Sequence, residues 1–526
     1  MRYLPFLFLL AIVSLGSCAQ PEAEEALSGS IAEESLLEIS IPELGKQYRD
    51  GSLTVLQAVQ YYLARIEAID QNGPGLRAVL AVNPEAEDIA RALDAELKSG
   101  KDRGPLHGVP VLLKDNIDTG DKQPTTAGSR ALLGNFAAED APIVARLREA
   151  GAIILGKTNL SEWANFRSTH SSSGWSGAGG QTHNPYHLSC NPCGSSSGSG
   201  VAVSANLCAF AIGTETNGSI VCPSSANGIV GIKPTVGLLS RTGIIPISFT
   251  QDTPGPMART VTDAAIALGA MVGEDPKDPK TEGSSAFAKK DYTPFLDSTA
   301  LKGKRLGYYT AVKGQHYKVD AVMGQAIAQL KEQGAEVVEI NARVPSKAGG
   351  LSYQIMLYEF KDGLNAYLGK LGEDAPVQDI DALIAFNKAD GVELQHFHQD
   401  ILEQAAAMGG LESEGYTTAL EEMLRLSREE GIDKIMEEHQ LDALIAPTGG
   451  PAWKTDHANG DHYTLGSSSP AARAGYPNIT VPMGMVDGLP VGISFFGRAW
   501  SEPLLIGLAY DFEQAAQARA VPTFEP

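Results

Sequence analysis

The chain has 526 residues, of which 43% are hydrophobic and 20% charged, so it can bury a large core and does not have the composition of a disordered protein. Its formal net charge at pH 7 is −22. An acidic chain without a basic cluster argues against nucleic-acid binding, and no DNA or RNA partner is expected.

The N-terminus has the pattern of an export signal. Arg2 precedes an apolar run over residues 3–15, which is too short to cross a bilayer but has the length of a signal-peptide core. The run ends in Leu15-Gly16-Ser17-Cys18, which resembles a bacterial lipobox with Cys18 as the lipidated residue. The alternative is an ordinary signal peptide that ends near a cysteine.

These features predict three regions: a lipoprotein-type signal peptide (1–18), an acidic tether (19–40) and a folded domain (41–526). Residues 20–38 are rich in glutamate and lack a regular apolar pattern, as expected for a tether. Ala19 stands where some bacteria use aspartate to retain lipoproteins at the inner membrane. We therefore expect an exported lipoprotein at the periplasmic face or cell surface, held at the outer membrane only by its N-terminal lipid.

The domain has the alternating helices and strands of an α/β protein. Residues 52–70 place apolar side chains at helical spacing, and Asp140 is predicted to cap a helix with Pro142 in its first turn and Gly151 after its end. Residues 275–291 are expected to form a surface excursion, and residues 353–428 are predicted to be helical and polar, without an assigned role. Six short apolar segments predict strands: 109–113, 152–155, 337–340, 443–446, 479–481 and 491–496.

Two loops rich in serine and glycine indicate a catalytic site. They cover residues 193–200 (CGSSSGSG) and 213–220 (GTETNGSI), and the small apolar residues 201–212 between them predict a buried helix. A flexible linker would have polar flanks instead. The G-x-S-x-G pattern centred on Ser196 would indicate a nucleophile elbow, but turn residues rather than a strand precede it.

Lys114 ends an apolar segment upstream of these loops and is the candidate base of a serine hydrolase. A free lysine has a pKa of about 10.4 and is protonated at neutral pH. Burial disfavours the ammonium form, so a lysine between apolar strands and serine hydroxyls can act as a neutral base. A serine between this base and the nucleophile would carry the proton inward and then to the departing amine.

The cysteines and histidines do not predict a metal site. Cys190 and Cys193 form a C-x-x-C pattern without a second ligand pair, so zinc is not expected, and a disulfide between them stays open. Cys208 and Cys222 are predicted to be small core residues. Two histidine pairs in polar, loop-like surroundings are interpreted as solvated side chains: His396 with His398, and His457 with His462. No metal or organic cofactor is expected.

Taken with the two loops and Lys114, four further stretches resemble the amidase signature family. They are residues 103–110 (RGPLHGVP), 231–235 (GIKPT), 252–257 (DTPGPM) and 488–492 (GLPVG). The resemblance runs from about Ile41 to the C-terminus and is strongest to bacterial peptide amidases. It implies one α/β domain with a large mixed β-sheet wrapped by α-helices.

The resemblance also implies roles for individual residues. The family's catalytic lysine falls on Lys114, its bridging serine on a cis peptide bond falls on Ser195, and its nucleophile falls on Ser219. Ser196 takes the position that hydrogen-bonds the lysine. The oxyanion hole would be built from the backbone amides of Thr216, Asn217, Gly218 and Ser219.

Two positions depart from the family pattern. Asn217 replaces a small glycine or alanine in the oxyanion loop, and Val221 replaces an arginine. Asparagine tolerates left-handed backbone conformations, so the loop is still expected to form. The missing arginine fits the peptide-amidase branch.

The expected activity is hydrolysis of small-molecule or peptide carboxylic amides through an acyl-enzyme, with C-terminal peptide amides as the favoured substrates. Fatty or aryl amides are the alternative substrates. A non-catalytic protein, or an amidotransferase-like subunit that works only in a complex, is the alternative class. The predicted export signal argues against such a subunit, because its partners are cytoplasmic.

Overall fold

Residues 36–526 are described by the structure, which is a computed structural model. The predicted signal peptide, Cys18 and residues 19–35 of the predicted tether lie outside the described residues.

Helices and strands alternate along the described chain. The α-helices are α1 (Ile41–Asp50), α2 (Val55–Arg65), α3 (Ala86–Lys98), α4 (Pro142–Glu149), α5 (Ser197–Ser204), α6 (Val221–Ala226), α7 (Val261–Met271), α8 (Tyr317–Glu332), α9 (Lys347–Leu368), α10 (Ile380–Ala389), α11 (Asp400–Ala406), α12 (Glu414–Ser427), α13 (Asp433–Glu438), α14 (Ser469–Ala474) and α15 (Glu502–Ala516). The strands are β1 (Val79–Val82), β2 (Pro110–Lys114), β3 (Ile153–Thr158), β4 (Trp175–Ser176), β5 (Gly180–Gln181), β6 (Phe210–Glu215), β7 (Val230–Lys233), β8 (Thr253–Ala258), β9 (Arg305–Tyr309), β10 (Glu336–Ile340), β11 (Ala443–Pro447), β12 (Asn478–Val486) and β13 (Leu489–Phe496).

Eleven of these strands form one mixed sheet in the order β1-β3-β2-β6-β8-β7-β12-β13-β11-β9-β10. Strands β3, β2 and β6 are mutually parallel, as are β11, β9 and β10, whereas the pairs in the centre of the sheet are antiparallel. Helices cover the sheet, and β2, β3, β6, β7, β8 and β11 are buried along their whole length. The predicted mixed sheet wrapped by helices is confirmed.

The sequence predicted most of these elements correctly. Each of the six predicted strands overlaps an observed one, and α2 begins with a capping box in which Thr54 and Gln57 bond each other's backbone amides. The prediction that Asp140 caps α4 is wrong: Ala141 is the N-cap residue, and the Asp140 carboxylate accepts from the Gly120 amide and from Arg148 instead.

Residues 201–212 are only partly helical, which corrects the sequence prediction. The helix is α5, which ends at Ser204, and Phe210 already begins β6. Both elements are completely buried, so neither shows an alternation of apolar and polar residues. Periodicity alone does not separate a buried helix from a buried strand in such a segment.

The helical segment (residues 347–427) packs its inner face on a second apolar cluster. Phe360 and Leu364 of α9 are completely buried there, in the same cluster as Trp163, which lies between β3 and β4 in the chain. Arg167 is buried beside the cluster and pairs with two buried carboxylates, Glu162 at 2.8 Å and Glu393 at 3.2 Å. The segment is helical as predicted, but it is amphipathic rather than simply polar.

The first described residues pack on the domain. Leu36 is completely buried, and Glu38 pairs with Arg519 at 2.6 Å and accepts from the Asn206 side chain at 2.7 Å. The folded region therefore begins before the predicted boundary at residue 41. Within residues 36–526, no helix combines the length and the apolar character that a membrane span requires.

Candidate active site

The predicted catalytic residues lie at one edge of the large sheet, where parallel strands end. Lys114 is the last residue of β2, and β6 runs parallel beside it with Leu113 opposite Ile212. This register brings Lys114 next to Thr214. The carboxyl ends of parallel strands are where α/β sheets usually bind their ligands.

Lys114 is completely buried, and its ammonium group makes three hydrogen bonds. It donates to Ser195 Oγ at 2.7 Å, to Thr214 Oγ1 at 2.9 Å and to the Thr214 carbonyl at 3.2 Å. Burial lowers the lysine pKa to about 7, although the negative charges of Asp252 and Glu215 act in the opposite direction. A lysine with this pKa is substantially neutral near pH 7 and is able to accept a proton there.

Ser195 lies on a cis peptide bond with Gly194, as the family resemblance implies. Ser196 is buried next to it, but the expectation that Ser196 hydrogen-bonds Lys114 is wrong. Its hydroxyl donates to the Thr214 carbonyl at 3.1 Å and accepts from the Thr214 amide at 3.2 Å. An ammonium group has three donors, and Ser195 and Thr214 accept all of them. Ser196 therefore fixes the β6 backbone that carries Thr214.

Ser219 lies in a turn between β6 and α6. Gly218 precedes it with φ +90°, and a Cβ at this position would lie 3.0 Å from Ser468 Oγ, so both conformation and space favour glycine. On the other side of Ser219, the Glu215 carboxylate accepts from the amides of Ile220 at 2.8 Å and Val221 at 3.0 Å. Glu215 thus holds the backbone directly after the predicted nucleophile.

The predicted oxyanion loop presents free backbone donors. Across residues 36–526 there is no protein acceptor for the amides of Thr216, Asn217, Gly218 and Ser219. The Asn217 side chain accepts from Ser468 Oγ at 2.8 Å and donates to Ser469 Oγ at 3.2 Å, which ties the loop to the start of α14. The residue that departs from the family pattern is thus an anchor of the loop. A row of unpaired amides is the arrangement that stabilises a developing oxyanion.

Ser219 opens into a cavity of about 450 Å³, which is within the range of small-molecule sites. Trp453 and Tyr463 supply an aromatic wall, with ring centroids 5.7 Å apart. Asp461 connects this wall to Ser173, another residue that lines the cavity. Its carboxylate accepts from Trp453 Nε1 at 3.2 Å and from the Ser173 amide at 3.0 Å. The remaining lining is mainly polar and includes Asn165, Ser168, Thr169, His170, Ser171 and Asn459.

A disulfide joins the first Ser/Gly loop to α6, the helix that follows the second loop. It links Cys193 with Cys222, which are 29 residues apart, whereas Cys190 and Cys208 are free thiols. Cys222 is buried in a small apolar cluster with Cys193 and Ala226, as predicted for a core residue, but it is also half of a disulfide, and the open pairing of Cys190 with Cys193 is excluded. Cys222 lies in the first turn of α6, directly after the second Ser/Gly loop. The bond connects the backbone before Ser195 to the backbone after Ser219.

The histidines meet in a different combination from the one considered in the sequence. His396 stacks on His457, with ring centroids 4.1 Å apart, while His398 and His462 are not part of this stack. Burial lowers the pKa of both stacked rings, and the charge of His396 lowers that of His457 further. In the described part of the chain, no group of three or more His, Cys, Asp or Glu side chains is arranged to hold a metal ion.

A second cavity, of about 470 Å³, lies on the other side of the lysine's partners. Thr214 and Asn116 belong to its lining, residues 244–249 supply an apolar wall, and Ser219 is not among the lining residues. The predicted nucleophile therefore faces the polar cavity next to Trp453 and Tyr463.

Three residues that organise the site carry no functional signal of their own in the sequence: Thr214, Asn116 and Asp252. Thr214 binds the lysine, and Asn116 donates to Thr214 Oγ1 at 3.1 Å. Asp252 accepts from Thr216 Oγ1 at 2.5 Å and from the Ser248 amide at 2.8 Å, and burial raises its pKa to about 6. Asp252 opens a stretch that carries the family resemblance, but its partner on the oxyanion loop is visible only in three dimensions.

Comparisons with known proteins give matches along most of the chain. The family model described as Amidase matches residues 57–506. A probable amidase of Arabidopsis thaliana is 44% identical over 527 residues, which covers 98% of this chain and 95% of the plant protein. The solved structure of the native peptide amidase from Stenotrophomonas maltophilia is 49% identical with a TM-score of 0.89, covering 94% of this chain and 100% of that one. A peptide amidase solved in complex with the competitive inhibitor chymostatin is 50% identical with a TM-score of 0.90, covering 92% and 99%.

Proposed function

This chain belongs to the amidase family, and on that premise we propose that it hydrolyses the C-terminal carboxamide of short peptides with Ser219, Ser195 and Lys114 as its catalytic residues. Amide hydrolysis itself follows from family membership. The catalytic assignment and the peptide substrate are the proposal.

The contact between Lys114 and Ser195 is the observation that carries the catalytic assignment. A completely buried lysine with a pKa of about 7, 2.7 Å from a serine hydroxyl, is poised to exchange a proton with it. Lys157 and Lys233 are also completely buried with only carbonyl or hydroxyl acceptors, but neither of them donates to a serine of the two Ser/Gly loops. The three acceptors of Lys114 are a carbonyl and two hydroxyls.

In the proposed mechanism, neutral Lys114 takes the Ser195 proton while Ser195 takes the Ser219 proton. Ser219 Oγ attacks the substrate carbonyl, and the resulting oxyanion accepts hydrogen bonds from the free amides of the loop. Ser195 then gives a proton to the departing amine and regains one from Lys114. Ammonia leaves, and an ester on Ser219 remains. A water molecule attacks this ester by the same proton path, which releases the carboxylic acid and restores Ser219.

The cavity supports a peptide as the acyl part of the substrate. Its lining is mainly polar, so it offers hydrogen-bonding partners to peptide groups and little apolar surface to a long alkyl chain. Trp453 and Tyr463 are the exception and would contact a side chain of the substrate. The two similar peptide amidase structures support the same substrate class.

The substrate is tested by ammonia release from an N-acetylated peptide amide, compared with benzamide, a long-chain fatty amide and an unblocked protein. We expect the peptide amide to have the highest kcat/KM, by about tenfold or more, because only it fills the polar cavity with matched hydrogen bonds. Faster turnover of the fatty amide would contradict the peptide proposal and leave the catalytic assignment intact.

We further propose that the protein is exported and anchored by a lipid on Cys18. The sequence pattern of residues 1–18 supports this proposal. These residues lie outside the part of the chain that the structure describes.

Replacing Cys18 with serine should release the protein from the membrane fraction or block its processing, because no thioether-linked lipid would form. Fractionation followed by immunoblotting measures this, and replacement of the free, buried Cys208 with serine is the matched cysteine control. An unchanged membrane fraction for Cys18→Ser would show that Cys18 is incidental.

A further inference from the structure

We infer that Gln251 is a positioning residue of the oxyanion hole and that Ser352, on the helical segment, sets its orientation. The inference deepens the proposed function and rests on it, because it concerns the same site. It also gives a role to α9, for which the sequence offered none.

Gln251 is completely buried between α9 and the oxyanion loop. Its Nε2 donates to the Thr216 carbonyl at 3.3 Å, and its Oε1 accepts from Ser352 Oγ at 2.6 Å. Its own amide donates to Ser248 Oγ at 3.2 Å. The Thr216 carbonyl can only accept, so the NH₂ end of the amide faces Thr216, and the Ser352 hydroxyl holds the oxygen end by donating to it.

A rigid peptide plane links this contact to catalysis. The Thr216 carbonyl and the Asn217 amide belong to the same planar group, in which C=O and N–H point in opposite directions. A hydrogen bond that holds the carbonyl towards Gln251 therefore holds the Asn217 N–H towards the opposite side. Asn217 lines the cavity into which Ser219 opens, and its amide is one of the free donors of the loop.

The neighbouring residues anchor this plane. The Thr216 hydroxyl donates to Asp252, and the Asn217 side chain is held by Ser468 and Ser469. These contacts fix side chains on either side of the peptide group. Within residues 36–526, the hydrogen bond to the peptide group itself comes from Gln251, so this residue determines the rotation of the plane.

A second set of bonds holds the loop of Gln251 against the helical segment. Buried Glu359 of α9 accepts from Ser248 Oγ and Thr250 Oγ1, each at 2.5 Å, and from the Tyr416 hydroxyl at 2.6 Å. Hydrogen bonds thus connect α12 and α9, through the loop of residues 248–251, to the Thr216 carbonyl. Within this network, Ser352 and Gln251 make the contact that reaches the peptide group between Thr216 and Asn217.

The test compares Gln251→Met, Ser352→Ala and the double variant, assayed with the amide that the wild type hydrolyses fastest. Methionine keeps the length of the side chain and loses its donor. We expect kcat of Gln251→Met to fall about 10- to 100-fold with KM within about twofold, because the misaligned donor acts on the transition state. The inhibition constant of a peptide aldehyde, which forms an oxyanion on the nucleophile, should rise by the same factor as kcat falls.

Ser352→Ala should lower kcat by about 3- to 10-fold, and the double variant should be no slower than Gln251→Met, because Ser352 acts through Gln251. The matched control is Tyr353→Phe, which removes the adjacent hydroxyl of α9, bonded to Gln404 at 3.1 Å, and should match the wild type. Rates are divided by the number of active sites that a fluorophosphonate titrates, so misfolded protein does not enter the comparison. The pH midpoint of kcat should stay unchanged in every variant, since Lys114 is untouched.

Wild-type kcat and aldehyde affinity in Gln251→Met would overturn the inference. Additive losses of kcat in the double variant would also overturn it. The same holds if KM and the pH midpoint of Gln251→Met change together with kcat. Failure of the proposed function is recognised separately, in the wild type, as turnover of other amides in preference to peptide amides.

Discussion

Replacing Ser219 with alanine is expected to lower kcat on the order of 10⁵- to 10⁶-fold, the scale on which removal of the nucleophile acts in serine hydrolases. The reason is that the proposed acyl-enzyme forms on Ser219 Oγ, and alanine leaves no hydroxyl at this position beside the free amides of the loop. The same variant should not react with a fluorophosphonate probe. Ammonia release measures the rate, and mass spectrometry of the probe-treated protein identifies the labelled serine.

Ser196→Ala is the matched control for Ser219→Ala. It removes a buried hydroxyl of the first Ser/Gly loop that bonds the Thr214 backbone. It should keep the fluorophosphonate label and lose much less activity. A label on Ser196 in the wild type would contradict the assignment and favour the nucleophile elbow that the G-x-S-x-G pattern suggests.

Loss of the lysine is the second large effect. Lys114→Ala is expected to lower kcat by about 10²- to 10⁴-fold, because no group then accepts the proton of Ser195. Lys114→Arg should be equally slow, since arginine keeps its charge at every accessible pH and cannot act as a base. Steady-state ammonia release measures both rates, and undiminished activity in either variant would rule out the lysine-base mechanism.

The pH profile gives an independent measure of the same base. Burial lowers the pKa of Lys114 to about 7, and the proposed mechanism requires the neutral form as the base. The wild-type rate should therefore fall below pH 7 and rise to a plateau above it. An unperturbed lysine would instead place this rise near a pH of about 10. In Lys114→Ala the rise centred on the lysine pKa should disappear, whereas the low residual rate stays measurable.

Elements with a local signal could be predicted from the sequence. The strands at residues 109–113 and 443–446 are short apolar runs between polar turns, and α2 carries its capping residue in its own sequence. Residues 201–212 could not be divided correctly, because α5 and β6 are buried on every face and show no period. The end of α4 follows from the sequence, whereas its N-cap does not, since the Asp140 carboxylate bonds Gly120 of an earlier loop and Arg148 in the last turn of α4.

The candidate site also combines residues with a local sequence signal and contacts that depend on the fold. Lys114, Ser195 and Ser219 stand in recognisable motifs, so sequence alone was enough to nominate them. The partner of Cys193, the contacts of Ser196 and the roles of Thr214 and Gln251 depend on which backbone groups meet across the sheet. These contacts join residues that no spacing relates, as with Gln251 and Ser352, which are 101 positions apart.

The anchoring of the oxyanion loop by α14 has a consequence for biosynthesis. Asn217 is held by Ser469, which is synthesised 252 residues later, and the cavity wall of Trp453 and Tyr463 is also made late. Strands β12 and β13, which follow α14, fill the sheet between β7 and β11. A nascent chain therefore carries the predicted nucleophile long before the groups that hold its loop. We expect chains truncated before Ser469 to be inactive, because the oxyanion loop would lack this anchor.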